Sequence, residues 1–331
     1  MVVVGGGPAA LTHAAALADS GCRVCAVAPA RLPQPGTFEL LPPRALEVLR
    51  TAGLLDPRRP VGRPSRGTVF RWIGREFGER GGDGSLIVDR AELDRALREG
   101  AAERGVPLLR GTVGRVDRIG SGWSLHLHRP ASRPLGADSV TLASGRGGPG
   151  ARRFALRRAP ATPMVAITTA APGPFPQLGA RLLVDAASDG WWYALGDGRR
   201  ATIGFVTDAD LMTPGTGFAA TWAGAARTAE WLPAWARNPV LRGRRSSLSS
   251  AQPGDAIVRL VGDAALALDP LSGHGVTLAV EGALRAAEDP ASYPDWLADQ
   301  DVTHRAQGTR LYRAAGRAGS FWQRRTGRLR T

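Results

Sequence analysis

The sequence predicts an α/β protein with a Rossmann-like domain at its core, and three stretches carry that expectation. MVVVGGGPAA at the start reads as a short apolar strand, a glycine turn and the opening of a helix. LVGDAALALDPLSGHGVTLAVEGALRAAE (260–288) reads as a second buried strand, a carboxylate just beyond it, and a glycine-bracketed helix start. Between them, GWWYALGDG (190–198) sets three aromatics side by side. On a strand, neighbouring side chains point to opposite faces, so one core cannot bury all three.

The N-terminal elements follow in order. Val2–Val4 is the strand, and an Ala/Leu helix runs to about Ser20, where Gly21 stops it. Residues 23–28 start the next strand. Strand, G-x-G-x-x-A, helix and strand form the dinucleotide fingerprint in its required context. Gly5 makes the tight turn, Gly7 lets a pyrophosphate approach the backbone, and Ala10 keeps the helix close to the sheet. Pro8 and Ala9 open the helix whose free N–H groups receive phosphate. The acid expected at the end of the second strand, which binds a ribose hydroxyl, is replaced by Ala28 and Pro29. Arg31 is the candidate to reach the adenosine from the other side.

Further along, RGTVFRWIG (66–74) and SGWSLHLH (121–128) alternate as strands do. PGPFPQ (172–177), GDGRR (196–200) and QPGD (252–255) read as turns. TWAGAARTAEWLPAW (221–235) reads as an amphipathic helix ended near Pro233. In the late segment, Asp263 just past a buried strand suits a polyol hydroxyl. The helix start bracketed by Gly273 and Gly275 suits a flat, electron-rich ring against backbone N–H groups. A ribityl chain and an isoalloxazine answer both, so the expected cofactor is FAD rather than NAD.

Gly262-Asp263 with Pro270, Gly273 and Gly275 resembles the second FAD motif of aromatic-hydroxylase flavoproteins. LASGRG (142–147), which contains Gly145, is similar to the flavin-dependent tryptophan halogenases and their relatives. ELLPP (39–43) resembles their Glu-x-Leu-Pro-Pro turn, and Val88, Asp89 and Arg90 resemble another segment of that fold. GWWYALGDG, TDADL (207–211) and FWQRR near the end resemble one branch, the monooxygenases that hydroxylate a partner polypeptide's tryptophan during quinone-cofactor maturation. The resemblance runs over nearly the whole chain. It implies an FAD-binding Rossmann-like three-layer domain (1–68, 86–160, 250–286), an inserted β-sheet substrate domain (69–85, 161–249) and C-terminal helices (287–331). It also implies that Gly5, Gly7, Pro8, Ala9, Ala10, Arg31, Arg90, Gly145, Asp263, Pro270, Gly273, His274, Gly275 and Val276 hold FAD.

The resemblance further implies aromatic hydroxylation through a flavin C4a-hydroperoxide, on a small aromatic or a peptide- or protein-bound ring. NAD(P)H or a separate flavin reductase would supply electrons. The halogenases carry oxidised halide on a lysine, and every basic residue here is arginine, so a halogenase is not expected. The site must exclude water and hold an electron-rich ring close to the activated oxygen. His274, beside the expected flavin pyrimidine, is a candidate proton donor or flavin-tuning charge. Glu39 is a candidate base, or it caps its turn. Trp191 and Tyr193 share a strand face expected to line the substrate cavity, unless all three aromatics are core. The alternatives are an FAD-dependent dehydrogenase or reductase on the same fold, or a non-catalytic flavoprotein-like partner.

Composition bounds the rest. The 331 residues are 43% hydrophobic and carry a formal charge of +14, favouring anionic ligands or acidic partners. Arginines crowd the C-terminal tail, which could dock an acidic leader or partner. Only Tyr312, Phe321 and Trp322 lie among them, too few for a nucleic-acid stacking platform. No window suggests a membrane span, and the start lacks a basic signal-peptide region, so a cytoplasmic protein is expected. The chain is short for its class, which is expected to leave the cavity more open. Cys22 and Cys25 read as small buried apolar residues whose sulfurs diverge on a strand. His126 and His128 share a strand face but show no evident acidic partner, so no metal is expected. His13 is expected to pack or face solvent, and Asp208 and Asp210 to cap the helix after them.

Overall fold

Val2–Val4 (β1) is apolar at every position and buried on both faces, as the central strand of a parallel sheet must be. The computed structural model describes all residues except 31, 34, 73–75, 129–132, 147–153, 155–163, 172–174, 213–216, 238, 246–248, 251–257, 316–318 and 327–331. Helix α1 (Pro8–Asp19) opens on a proline that needs no N–H donor and returns the chain to β2 (Cys25–Ala28). After β3 (Phe38–Leu41), α2 (Pro43–Thr51) and β4 (Arg63–Pro64), the chain leaves for β5 (Gly67–Arg71) and β6 (Glu76–Gly81). It returns in β7 (Leu86–Asp89), where Asp89 caps α3 (Arg90–Glu103) by accepting the Ala91 N–H at 3.0 Å. Strands β8 (Leu108–Arg110), β9 (Val113–Ile119), β10 (Gly122–Leu127), β11 (Leu135–Ala137) and β12 (Val140–Leu142) follow.

Strands β13 (Met164–Ala171), β14 (Leu182–Ala187), β15 (Gly190–Gly196) and β16 (Ala201–Asp208) form a meander, followed by α4 (Gly217–Ala226) and β17 (Arg242–Arg245). Then come β18 (Ser249–Ser250), β19 (Val258–Leu260), β20 (Leu266–Ala267), α5 (Gly275–Glu288), α6 (Tyr293–Ala314) and α7 (Ser320–Thr326). The parallel sheet runs β19-β12-β1-β2-β8. One face carries α1, α2 and α3, and the antiparallel β9-β10-β11 sheet packs on the other, which makes three layers. A seven-stranded sheet, β17-β13-β16-β15-β14-β5-β6, stands beside it. Helix α4 covers one of its faces, and α6 and α7 cover the other.

Several expectations shift at this level. The helix expected over 221–235 ends at Ala226, because the Thr228 hydroxyl returns to the Ala225 carbonyl and Arg237 donates to the Ala226 carbonyl. Cys22 is exposed and Cys25 half-buried, because the strand begins only at Cys25, after the turn at Gly21. Asp208 and Asp210 do not cap a helix; they bind Arg324 and Arg325. The arginines of α7 are therefore partly neutralised inside the protein rather than free for a partner. His126 does have an acidic neighbour, with Asp117 Oδ2 at 2.9 Å from its Nε2. No group of three metal-ligating side chains forms among the described residues.

His13 lies fully buried between layers. Its Nδ1–H donates to the Ala283 carbonyl at 2.8 Å, and its Nε2 faces the Thr141 hydroxyl at 3.1 Å. Burial drives its pKa down to about 4, against an ordinary value of 6.5. The unfolded chain therefore binds a proton that the folded protein refuses. Stability is expected to be full above about pH 6.5 and to fall as pH drops toward 4, by about 3 kcal/mol in all. Urea titrations across that window, compared with His13→Gln, check it; an unchanged slope in the variant would assign the loss elsewhere.

Candidate functional site

The glycine turn after β1 is fixed by space. Gly5 has φ +151°, and a Cβ there would lie 2.4 Å from the carbonyl oxygen of Ala143, the residue just after the neighbouring strand β12. Gly262, after β19, has φ +61°, and its Cβ would meet that of Ala9 at 2.6 Å. These two turns bring the ends of β1, β12 and β19 together. Gly7 has nothing within 4 Å of its own Cβ position, so the space above the N-terminus of α1 is open.

That space is a cleft of about 500 Å³. Residues 5–9, the 143–146 segment after β12, and Asp263, Gly275 and Val276 line it. Glu39 and Arg90 line it as well. The size suits an extended small molecule. Of the residues expected from sequence, the structure gathers Gly5, Gly7, Pro8, Ala9, Glu39, Arg90, Gly145, Asp263, Gly275 and Val276 in one cavity. Ala10 lies fully buried beneath it. Pro270, Gly273 and His274 sit outside the cavity lining, on the loop that leads into α5. Arg31 lies outside the described residues.

The charged walls are paired. Glu39 Oε2 accepts from Arg90 Nη1 at 2.8 Å, and Asp94 Oδ1 accepts from Arg90 Nη2 at 3.0 Å. Burial opposes the Arg90 charge, but the two carboxylates outweigh it and raise its pKa. Glu39 anchors an arginine in the cleft lining. Arg146 Nε donates to Asp263 Oδ2 at 2.9 Å, a pair that the sequence reading missed.

The loop before α5 is held from behind. Asp269 is half-buried; its Oδ1 accepts the Leu271 N–H at 2.9 Å and its Oδ2 the Tyr312 hydroxyl at 2.8 Å. Burial pushes the Asp269 pKa up, against the pull of those hydrogen bonds. His274 is exposed, and its ring lies 5.5 Å from that of His304 on α6. Nothing in this arrangement places its imidazole over the cleft.

The aromatic stretch divides as alternation requires. Trp192 faces α4, edge-on to Trp222 at 4.7 Å and against Trp231 at 6.0 Å. Trp191 and Tyr193 share the other face. Trp191 does not line an open cavity: it is 3% exposed, in one cluster with Tyr312, Phe321 and Trp322 from α6 and α7. Helices α6 and α7 thus close this face, because their aromatics fill it. Tyr193 stays half-buried at the edge of that cluster, its ring 6.0 Å from that of Trp191.

Comparison with known proteins places these features. Residues 1–116 match the family model described as an FAD binding domain. A search of curated protein sequences gives no match. Among solved structures, the chain is similar to QhpG, a peptidyl tryptophan dihydroxylase essential for tryptophylquinone cofactor biogenesis. Identity is 26% over 98% of this chain and 78% of that one, with TM-score 0.82. It shares its fold with CmlS, a flavin-dependent halogenase, at TM-score 0.80 and 20% identity over 98% of this chain and 66% of that one. The p-nitrophenol 4-monooxygenase PnpA of Pseudomonas putida DLL-E4 superposes at TM-score 0.72 and 20% identity, over 92% of this chain and 82% of that one. No helix among the described residues is long and apolar enough to cross a membrane.

Proposed function

From the premise that the chain carries an FAD binding domain in a flavin-monooxygenase fold, we propose that it hydroxylates an electron-rich aromatic ring, of the indole or phenol class, on a peptide- or protein-bound substrate. The observation that carries this reading is the likeness to a peptidyl tryptophan dihydroxylase across 98% of the chain, together with the cleft. The cleft fits FAD. A side chain at Gly5 would strike the neighbouring strand, Gly7 opens onto the space, and the N–H groups of α1 face it. FAD, when bound and reduced, would supply the activation of O2 needed to transfer one oxygen atom.

The chain's own groups do the remaining work. Gly5, Gly7, Pro8 and Ala9, which line the cleft, would seat the pyrophosphate, Asp263 would bind a ribityl hydroxyl, and Gly145, Gly275 and Val276 would surround the cofactor. Arg90, held by Glu39 and Asp94, gives the cleft lining a fixed guanidinium whose charge those two carboxylates balance. Asp269 and Tyr312 position the loop that carries Pro270, Gly273 and His274. His274 stands exposed at the loop's tip, its Nδ1 donating to the Ser272 carbonyl, and has no part in the cleft lining. The packed aromatics around Trp191 exclude water behind Tyr193. Electrons come from NAD(P)H or a flavin reductase. Halogenation is disfavoured because no lysine is present to carry an oxidised halide.

The test supplies the FAD-loaded protein with 18O2, a reductant and tryptophan- or tyrosine-containing peptides, with and without bromide. The expected product is a peptide heavier by one or two 18O atoms. A product lacking 18O would mean a dehydrogenase, and a brominated one a halogenase; either would overturn the reading.

A further inference from the structure

A second cavity, of about 330 Å³, meets the first at Pro29. It opens at the C-terminal ends of β2 and β8, the edge of a parallel sheet where ligands bind. Arg95 and Arg98, one turn apart on α3, line one side, and Arg110, paired with Ala28 in the sheet register, lines the other. Glu99 is the only carboxylate among the described residues of the lining. Among the described residues, none of the three arginines forms an ion pair; the nearby arginines that do are Arg90 and Arg104.

Arg98 is the key member. Its Nη2 donates to the Pro29 carbonyl at 3.3 Å and would lie 3.5 Å from a Cβ on Gly6 of the glycine turn. Its Nε is buried without a partner. Buried donors are normally satisfied, and an orphan beside a cavity marks a missing acceptor. The acid that would take up a ribose 2′-hydroxyl is absent, because Ala28 stands there, 1% exposed. A carboxylate at that position repels a 2′-phosphate, whereas arginines accept one.

We infer that the arginine cavity is a phosphate subsite, through which the adenosine end of the cleft takes 2′-phosphorylated adenine nucleotides, the chemistry of the nicotinamide dinucleotide phosphates. FAD carries no phosphate at that hydroxyl and leaves the subsite unfilled. A 2′-phosphorylated nucleotide therefore competes with FAD for the adenosine end. This rests on the reading of the main cleft as the dinucleotide site.

The experiment titrates the FAD-loaded protein with adenosine 2′,5′-bisphosphate, adenosine 3′,5′-bisphosphate, adenosine 5′-phosphate and inorganic phosphate, following released flavin by fluorescence. The 2′,5′-bisphosphate is expected to release FAD at about tenfold lower concentration than the 5′-phosphate, the scale of charge-assisted hydrogen bonds. The gap should close in Arg98→Ala and Arg110→Ala, whose retained flavin spectrum shows an intact fold. Equal potency of the two nucleotides, or of the two bisphosphates, would overturn the subsite while leaving the FAD reading intact. So would release by inorganic phosphate as effective as by the 2′,5′-bisphosphate. If the protein takes up no FAD, the cleft reading fails instead. Calorimetry on the same protein then decides the subsite: tighter binding of the 2′,5′-bisphosphate sustains it, and equal binding overturns it.

Discussion

Asp208→Ala is expected to destabilise the protein by about 3–5 kcal/mol, the cost of leaving a buried charge without its partner. Asp208 is fully buried and Arg325 is 8% exposed on its side chain. Its two carboxylate oxygens accept from Arg325 Nη2 at 2.5 Å and Nη1 at 3.1 Å, and Arg324 Nη1 adds a third contact at 3.2 Å. The Arg325 guanidinium lies 3.7 Å above the Phe321 ring and cannot turn to water without unpacking α7. The variant therefore has either an uncompensated buried cation or a detached helix. Detachment exposes Trp322 and Trp191, so a red shift in tryptophan fluorescence should accompany the lower urea midpoint. Asp210→Ala is the control. That carboxylate is 52% exposed, and its pair with Arg324 is worth less than about 1 kcal/mol. Equal, small losses in both variants would show that the buried pair does not hold α7.

The second large effect is on the cofactor. Asp263→Ala is expected to weaken FAD binding roughly ten- to a hundredfold, the value of about 1.5–3 kcal/mol for a hydrogen bond to a charged group. The carboxylate is a third exposed in the cleft lining, so the fold should tolerate its loss. Arg146→Ala separates two explanations. If Asp263 acts by binding the ribityl chain, freeing it from Arg146 leaves FAD affinity largely intact. If Asp263 serves only to hold Arg146, both variants lose affinity alike. Flavin fluorescence titration reads both.

The parts of the site that lie close together in sequence were the legible ones. The glycine turn before α1 and the Gly262-Asp263 turn before α5 are local solutions to close backbone approach, and each leaves a fixed spacing of small residues. The strand alternation at 191–193 correctly separated Trp192 from its neighbours. It could not say what covers each face, because Phe321 and Trp322 arrive from more than a hundred residues away. The same holds for Arg146 with Asp263, and for Arg325 with Asp208: no spacing rule links residues 117 apart. Arg98 has no sequence signature either, because only the folding of β2 beside α3 brings Pro29 to its guanidinium. The helix expected through Pro233 failed for a smaller reason, since side chains took over the carbonyls of its last turn.

The α7 clamp also sets an order of events. The ribosome releases Trp191 and Asp208 long before Phe321, Trp322 and Arg325. During that interval the nascent sheet presents a bare aromatic face and an acid with no cation to meet it. The parallel sheet has a similar delay, because β1 must wait for β12 and then β19, partners drawn from the whole length of the chain. Newly made molecules therefore spend time with an adhesive surface uncovered, the state that chaperones recognise. A chain halted before residue 320 should accumulate as a chaperone-bound or insoluble species, whereas one carried through 326 folds free.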